Sequence, residues 1–263
     1  MLRSILLMHS LLVHVLLTSA QQWEKLSTID LVDIPTAYSV DITGDIYVGF
    51  ENGNVRQYDH EGNEIINYAL PNQSSVSLVE AQNRLKLFVF NFDNQTFTLL
   101  DRFSSIPKNY RLAEVGVSLT LMMCPSPDGQ YWVIETNPQR LKKIDANQKT
   151  VLLEMQTDFS DTITFMRCFR NLLLISDSKG LHVFDQFGSK LYSLSIPFIS
   201  YFYVKNDLLV CTAKNKLIYI DPFKSKVVKE MDIPSGLQAV IESRNLFAFF
   251  EEATMHFYRL IKP

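Results

Sequence analysis

Beyond residue 20 the chain holds three histidines, His60, His182 and His256, and three cysteines, Cys124, Cys168 and Cys211. Histidine is the usual acid, base and metal ligand near neutral pH. Here no His-x-His, His-Glu-x-x-His or Cys-x-x-Cys spacing occurs, so the pattern of a zinc site is missing. Gly-x-Gly-x-x-Gly, Gly-x-x-x-x-Gly-Lys and Gly-x-Ser-x-Gly are also missing, which removes a phosphate cradle and a nucleophile elbow. The residue types that remain assign no catalytic group, no cofactor and no metal ligand.

The elements that would position these residues come from a repeat. Five segments, 55–59, 97–101, 141–145, 181–185 and 217–221, run from an apolar residue through two variable positions and an apolar or aromatic one to Asp. The Asp spacings are 42, 44, 40 and 36, and a sixth copy follows at 254–259 with Arg259 in place of Asp. A period near 40 with strand-only content predicts propeller blades. Each repeat divides into four short strands separated by Gly, Asn, Asp, Lys or Pro. In the first these fall at 37–42, 45–51, 54–60 and 63–70, with turns at Thr43-Gly44, Asn52-Gly53 and Glu61-Gly62. The repeated Asp suits an Asx turn into the fourth strand. Spread around a rim, six such positions lie too far apart to share one ion.

The last repeat runs out after three strands, whereas residues 23–31 form a strand with no repeat of their own. Pairing the two predicts an all-β, six-bladed propeller of four-stranded blades over residues 21–263, closed by an N-terminal outer strand on the C-terminal blade. The inner strands, expected at 74–81, 117–123 and 162–167, are apolar apart from Glu80, Arg167 and hydroxyl residues. Two carboxylates facing across a sugar, a cluster of three arginines and a set of inward calcium ligands cannot be assembled from them.

The first twenty residues read as a secretory signal peptide. Arg3 supplies the positive charge, a Leu- and Val-rich run covers 5–17, and Thr18-Ser19-Ala20 precedes Gln21-Gln22. Cleavage after Ala20 leaves 243 residues with no run long and apolar enough to span a bilayer. The formal charge of −3 across the whole chain offers no footprint for nucleic acid. In an oxidising compartment three cysteines leave at least one thiol over. All three as buried free thiols is one reading, and a Cys124–Cys168 bridge is the other. Asn72-Gln73-Ser74 and Asn94-Gln95-Thr96 are glycan acceptors only in a eukaryotic source, and Asp161-Thr162-Ile163 resembles a short bacterial O-glycosylation acceptor.

The repeat ending resembles the Trp-Asp end of WD-type repeats, and Ser126-Pro127-Asp128-Gly129 resembles the turn of TolB-like propellers. A Gln-Gln start after an Ala cleavage site resembles exported proteins of Bacteroidota. With single-domain length and no visible catalytic set, the chain is similar to the periplasmic propeller subunit that plugs the type IX secretion translocon. That resemblance implies a non-enzymatic interaction module, periplasmic and held at the outer membrane by a large β-barrel partner. The apolar stretch 196–203 lies where blades four and five join, and Phe198, Ile199, Tyr201 and Phe202 are the expected partner contacts. Packed between blades instead, Phe198 and Tyr201 would be core. A propeller hydrolase or lactonase and a carbohydrate-binding propeller are the rival readings.

Overall fold

The computed structural model describes residues 22–70, 74–83, 86–101, 107–159, 162–196, 198–234, 236, 239–244 and 246–261. The expected signal segment 1–20, the acceptor residues Asn72 and Asp161, and Pro197 lie outside them.

Six sheets of four antiparallel strands form a ring, a β-propeller. Blade 1 comprises Pro35–Val40, Ile46–Phe50, Val55–Tyr58 and Glu64–Tyr68, from the axis outward. Blade 2 comprises Leu78–Glu80, Lys86–Asn91, Thr96–Asp101 and Lys108–Arg111, and blade 3 Thr120–Pro125, Tyr131–Thr136, Gln139–Asp145 and Thr150–Gln156. Blade 4 follows as Ile163–Phe169, Leu172–Asp177, Gly180–Asp185 and Lys190–Leu194, then blade 5 as Ile199–Lys205, Leu208–Ala213, Lys216–Asp221 and Lys226–Asp232. Blade 6 takes Ala239–Ser243, Leu246–Glu251 and Thr254–Ile261 from the end of the chain and its outer strand, Gln22–Asp30, from the beginning. A 3-10 turn, Leu112–Val115, lies between blades 2 and 3. No helix among the described residues is long and apolar enough to cross a membrane.

Blade sheets are buried on both faces because each packs against two neighbours, and their second strands accordingly read as unbroken apolar runs rather than alternating ones. Ile46–Phe50 and Leu172–Asp177 are buried throughout. Outer strands face solvent and alternate weakly. Closure is by Gln22–Asp30 running antiparallel to Thr254–Ile261, with Trp23 opposite Leu260 and Thr28 opposite His256. The Trp23 ring meets Phe247 and Phe249 edge-on, with centroids 4.9 and 5.2 Å apart, and its N–H donates to the Asp232 carbonyl of blade 5 at 2.9 Å. Gly62, at φ +90°, sits against Ile29 and Phe257 at this seam, and a Cβ there would collide with both.

The repeated Asp does what the turn chemistry predicts. Asp59 Oδ1 accepts from the N–H groups of Glu61 and Asn63, Asp145 from Asn147 and Gln148, Asp185 from Phe187 and Ser189, and Asp221 from Phe223 and Lys224. A second repeated device sits at the start of the inner strands. The register slips at a bulge in blades 1, 4 and 5, and Thr36, Thr164 and Ser200 there donate to the carbonyls of Gly49, Ser176 and Thr212 on the second strand.

Glu135 ties the connector after the 3-10 turn to blade 3. One oxygen accepts from Ser118 N–H at 2.7 Å, and the other is 2.7 Å from Lys142 Nζ. Burial opposes ionisation of this carboxyl, but the Lys142 ammonium and the Ser118 donors outweigh it and hold its pKa below the usual value of 4.5. Stability from Glu135 is therefore present above that value and lost as pH falls through the lower folded pKa. Glu135→Gln is expected to cost about 1–3 kcal/mol at pH 7, with the gap to wild type closing in acid, read as Tm at pH 7 and pH 3. Trp23→Ala is expected to cost about 2 kcal/mol. Deletion of residues 22–31 should remove cooperative unfolding of the ring, and an unchanged melting curve for that truncation would refute closure by this strand.

Candidate functional site

Propeller sites form where inner strands converge, on the central axis. Its middle is filled. Tyr38 of blade 1 lies 6.1 Å from the Tyr201 ring of blade 5 and 4.2 Å from Phe250 of blade 6, and Phe165 of blade 4 meets Tyr201 at 5.1 Å and Phe202 at 4.7 Å. The Glu80 carboxylate of blade 2 lies 2.6 Å from Arg167 Nε of blade 4, which places an ion pair between non-adjacent blades. The guanidinium also sits 5.4 Å over Phe165 and 5.9 Å over Tyr201. Arg167 is 1% exposed and Glu80 7%. Burial opposes the arginine charge, yet the facing carboxylate raises its pKa. Burial pushes the Tyr201 hydroxyl up to about 12, against the pull of Arg167, and burial also raises Tyr38. At neutral pH these two phenols stay protonated.

Openings lie on either side of this plug. The face carrying the outer-to-inner connectors and the second-to-third turns, here the connector face, has a recess of about 130 Å³ bordered by Thr36, Tyr38, Thr164 and Ser200. The opposite face, the turn face, has a cleft of about 740 Å³ between blades 2 and 3. Neighbouring inner strands approach closely at every other junction, and the short Leu78–Glu80 leaves this one open. Lys86, Lys108, Tyr110, Tyr131, Gln130 and Asn147 are among the walls, with Glu80 and Cys168 toward the axis. The Tyr110 hydroxyl donates to Asn147 Oδ1 at 3.2 Å, and Tyr110 stacks on Phe97 at 4.8 Å. Burial, with Tyr110 and Asp145 nearby, pushes the Tyr131 hydroxyl up to about 12.

The three cysteines are free, with Cys124 and Cys211 buried and Cys168 partly exposed. Cys124 and Cys168 nonetheless face each other, Sγ to Sγ 3.5 Å, from the inner strands of blades 3 and 4.

One constellation has no local sequence motif because it is assembled from three strands. His182 Nδ1 lies 2.9 Å from Ser193 Oγ and its Nε2 lies 3.0 Å from Asp177 Oδ1. These are hydrolase-triad distances. The same positions in blade 6 hold Thr28, His256 and Glu251, and in blade 3 Glu135, Lys142 and Glu154. The shared role is to tie second, third and outer strands together with one polar side chain in the middle, and Ser193 is the blade 4 variant of that tie.

The stretch expected to contact a partner mostly faces inward. Ile199, Tyr201 and Phe202 are 0%, 2% and 0% exposed, because Ile199–Lys205 is the inner strand of blade 5 and its side chains fill the axis and the blade interface. Burial withdraws these three as surface contacts. Phe198, in the connector, is 59% exposed with Lys214 Nζ 5.2 Å from its ring. Asn94 of the second sequon donates through its side chain to Ser74 Oγ at 2.7 Å.

Removing Arg167 leaves the buried Glu80 carboxyl without its guanidinium partner in the axis. Arg167→Met is expected to cost about 3–5 kcal/mol in urea unfolding, and adding Glu80→Leu should restore most of it.

No family model matches the chain, and no curated protein matches it. Among solved structures it is similar to virginiamycin B lyase from Staphylococcus aureus, with a TM-score of 0.66 and 13% identity over 91% of this chain and 100% of that one. A catalytically inactive variant of that lyase, solved with quinupristin, is similar at a TM-score of 0.65 and 14% identity, with the same coverage. At such identity the likeness shows the six-bladed propeller fold alone.

Proposed function

We propose that the chain is an exported, non-catalytic propeller that binds another protein through its connector face. The observation that carries this reading is the distribution of exposed apolar side chains around that face. Val32 and Ile34 enter blade 1, Leu119 enters blade 3, Phe198 enters blade 5 and Phe92 tops a turn of blade 2, exposed at 70, 50, 45, 59 and 36%. All but Phe92 lie on connectors leading into inner strands, so they surround the mouth, whereas on the turn face Phe187 and Phe223 sit on third-to-outer turns near the periphery and Ile42, 74% exposed, sits on the inner-to-second turn of blade 1. Aromatic and aliphatic anchors on a rigid rim are what a protein interface uses. The filled axis agrees with a platform, since Glu80 is engaged by Arg167.

The finer reading is the periplasmic plug of the type IX translocon, with a large outer-membrane β-barrel as partner. It is supported by the signal-like residues 1–20, the Gln-Gln start and the single-propeller length. A tagged chain is expected to recover such a barrel from detergent-solubilised membranes of its source. Ile34→Asp with Phe198→Asp should lower that recovery at least tenfold without shifting Tm. No recovery after crosslinking would overturn the reading.

A second reading, saccharide binding, is favoured by the turn-face cleft, where Tyr110 and Tyr131 stand beside Gln130 and Asn147. Calorimetric titration with neutral oligosaccharides is expected to give heat that Tyr110→Ala removes if this reading holds.

A further inference from the structure

We propose that Cys124 and Cys168 form a thiol–disulfide exchange site at the axial end of the turn-face cleft, oxidised to an interblade disulfide by a small-molecule or protein disulfide entering that cleft. The two residues end adjacent inner strands, Thr120–Pro125 and Ile163–Phe169, on the same face, with their sulfurs 3.5 Å apart. Bond formation requires the sulfurs to close to about 2.05 Å, a movement of roughly 1.5 Å that side-chain rotation can supply.

The surroundings divide the labour between the two sulfurs. Cys168 is partly exposed and lines the 740 Å³ cleft, whereas Cys124 is 1% exposed behind it. Only Cys168 can meet an incoming disulfide. Its thiolate attacks one sulfur, the S–S bond of the oxidant breaks, and one thiol leaves with a proton. The mixed disulfide on Cys168 then faces Cys124. The Cys124 thiol gives up its proton and attacks Cys168 Sγ, and the second thiol leaves carrying that proton. Two protein thiols are oxidised and one disulfide is reduced to two thiols. Burial holds the Cys124 thiol well above its usual pKa, and Glu80 adds to this while the Arg167 cation opposes it. The second step therefore depends on the sulfurs being held together, which the close approach of these two neighbouring inner strands provides.

Cys211 is the internal control. It lies in the second strand of blade 5, 0% exposed, and burial raises its thiol pKa.

The folded protein is treated with oxidised glutathione, quenched in acid, unfolded and alkylated with N-ethylmaleimide. Intact mass is expected to show a chain about 2 Da lighter with one maleimide, on Cys211, and digestion should yield one peptide pair joining Cys124 to Cys168. Reduction before unfolding should restore three adducts. Cys211→Ser is expected to form the bridge with no adduct, and Cys168→Ser to form none. Three adducts after oxidation, or glutathione retained on Cys168 with Cys124 still alkylated, would overturn the proposal. Because the map is made on the unaltered chain, it stands even if a serine variant does not fold.

Discussion

Closure of the ring is the constraint on which the rest depends. A blade sheet that is apolar on both faces needs two neighbours, and a row of such sheets has an exposed face and a free edge at each end until it closes. Gln22–Asp30 ends that problem by supplying the outer strand that the C-terminal repeat lacks. Trp23 then packs on Phe247 and Phe249 and reaches across to blade 5, so the seam is held by side chains as well as by the ladder.

Closure brings six inner strands together, and what they place at the axis follows from their sequences. Aromatic side chains from blades 1, 4 and 5 fill it. Glu80 and Arg167 form an ion pair among them, and the facing carboxylate raises the Arg167 pKa against the burial that opposes its charge. Space remains beside the plug, where the short inner strand of blade 2 leaves a cleft that ends at a pair of thiols.

Residue types associated with chemistry serve architecture in much of this chain. Repeated Asp carboxylates bind backbone N–H groups at turns. His182 and His256 bridge the strands of their blades, and blade 3 uses Lys142 for the same purpose. Blades 4 and 6 build this arrangement from His and a hydroxyl, and blade 3 builds it from Lys between two carboxylates.

The sequence alone determined the all-β class, the six repeats, the Asx turns and the pairing of the chain ends, because the first three rest on strand periodicity and turn chemistry that recur along the chain, and the last on a final repeat one strand short facing a spare N-terminal strand. The partner stretch was legible only in part. An apolar run reads the same whether it becomes an exposed loop or an inner strand, and only the strand register showed that Ile199, Tyr201 and Phe202 turn inward while Phe198 stays out. Tertiary structure also decided which distant residues meet. Glu80 and Arg167 are 87 positions apart and Cys124 and Cys168 are 44 apart, with no motif linking either pair. Their proximity arises from the blade-to-blade angle and the convergence of inner strands on one axis, and these are set by packing across the whole ring rather than by any segment of it.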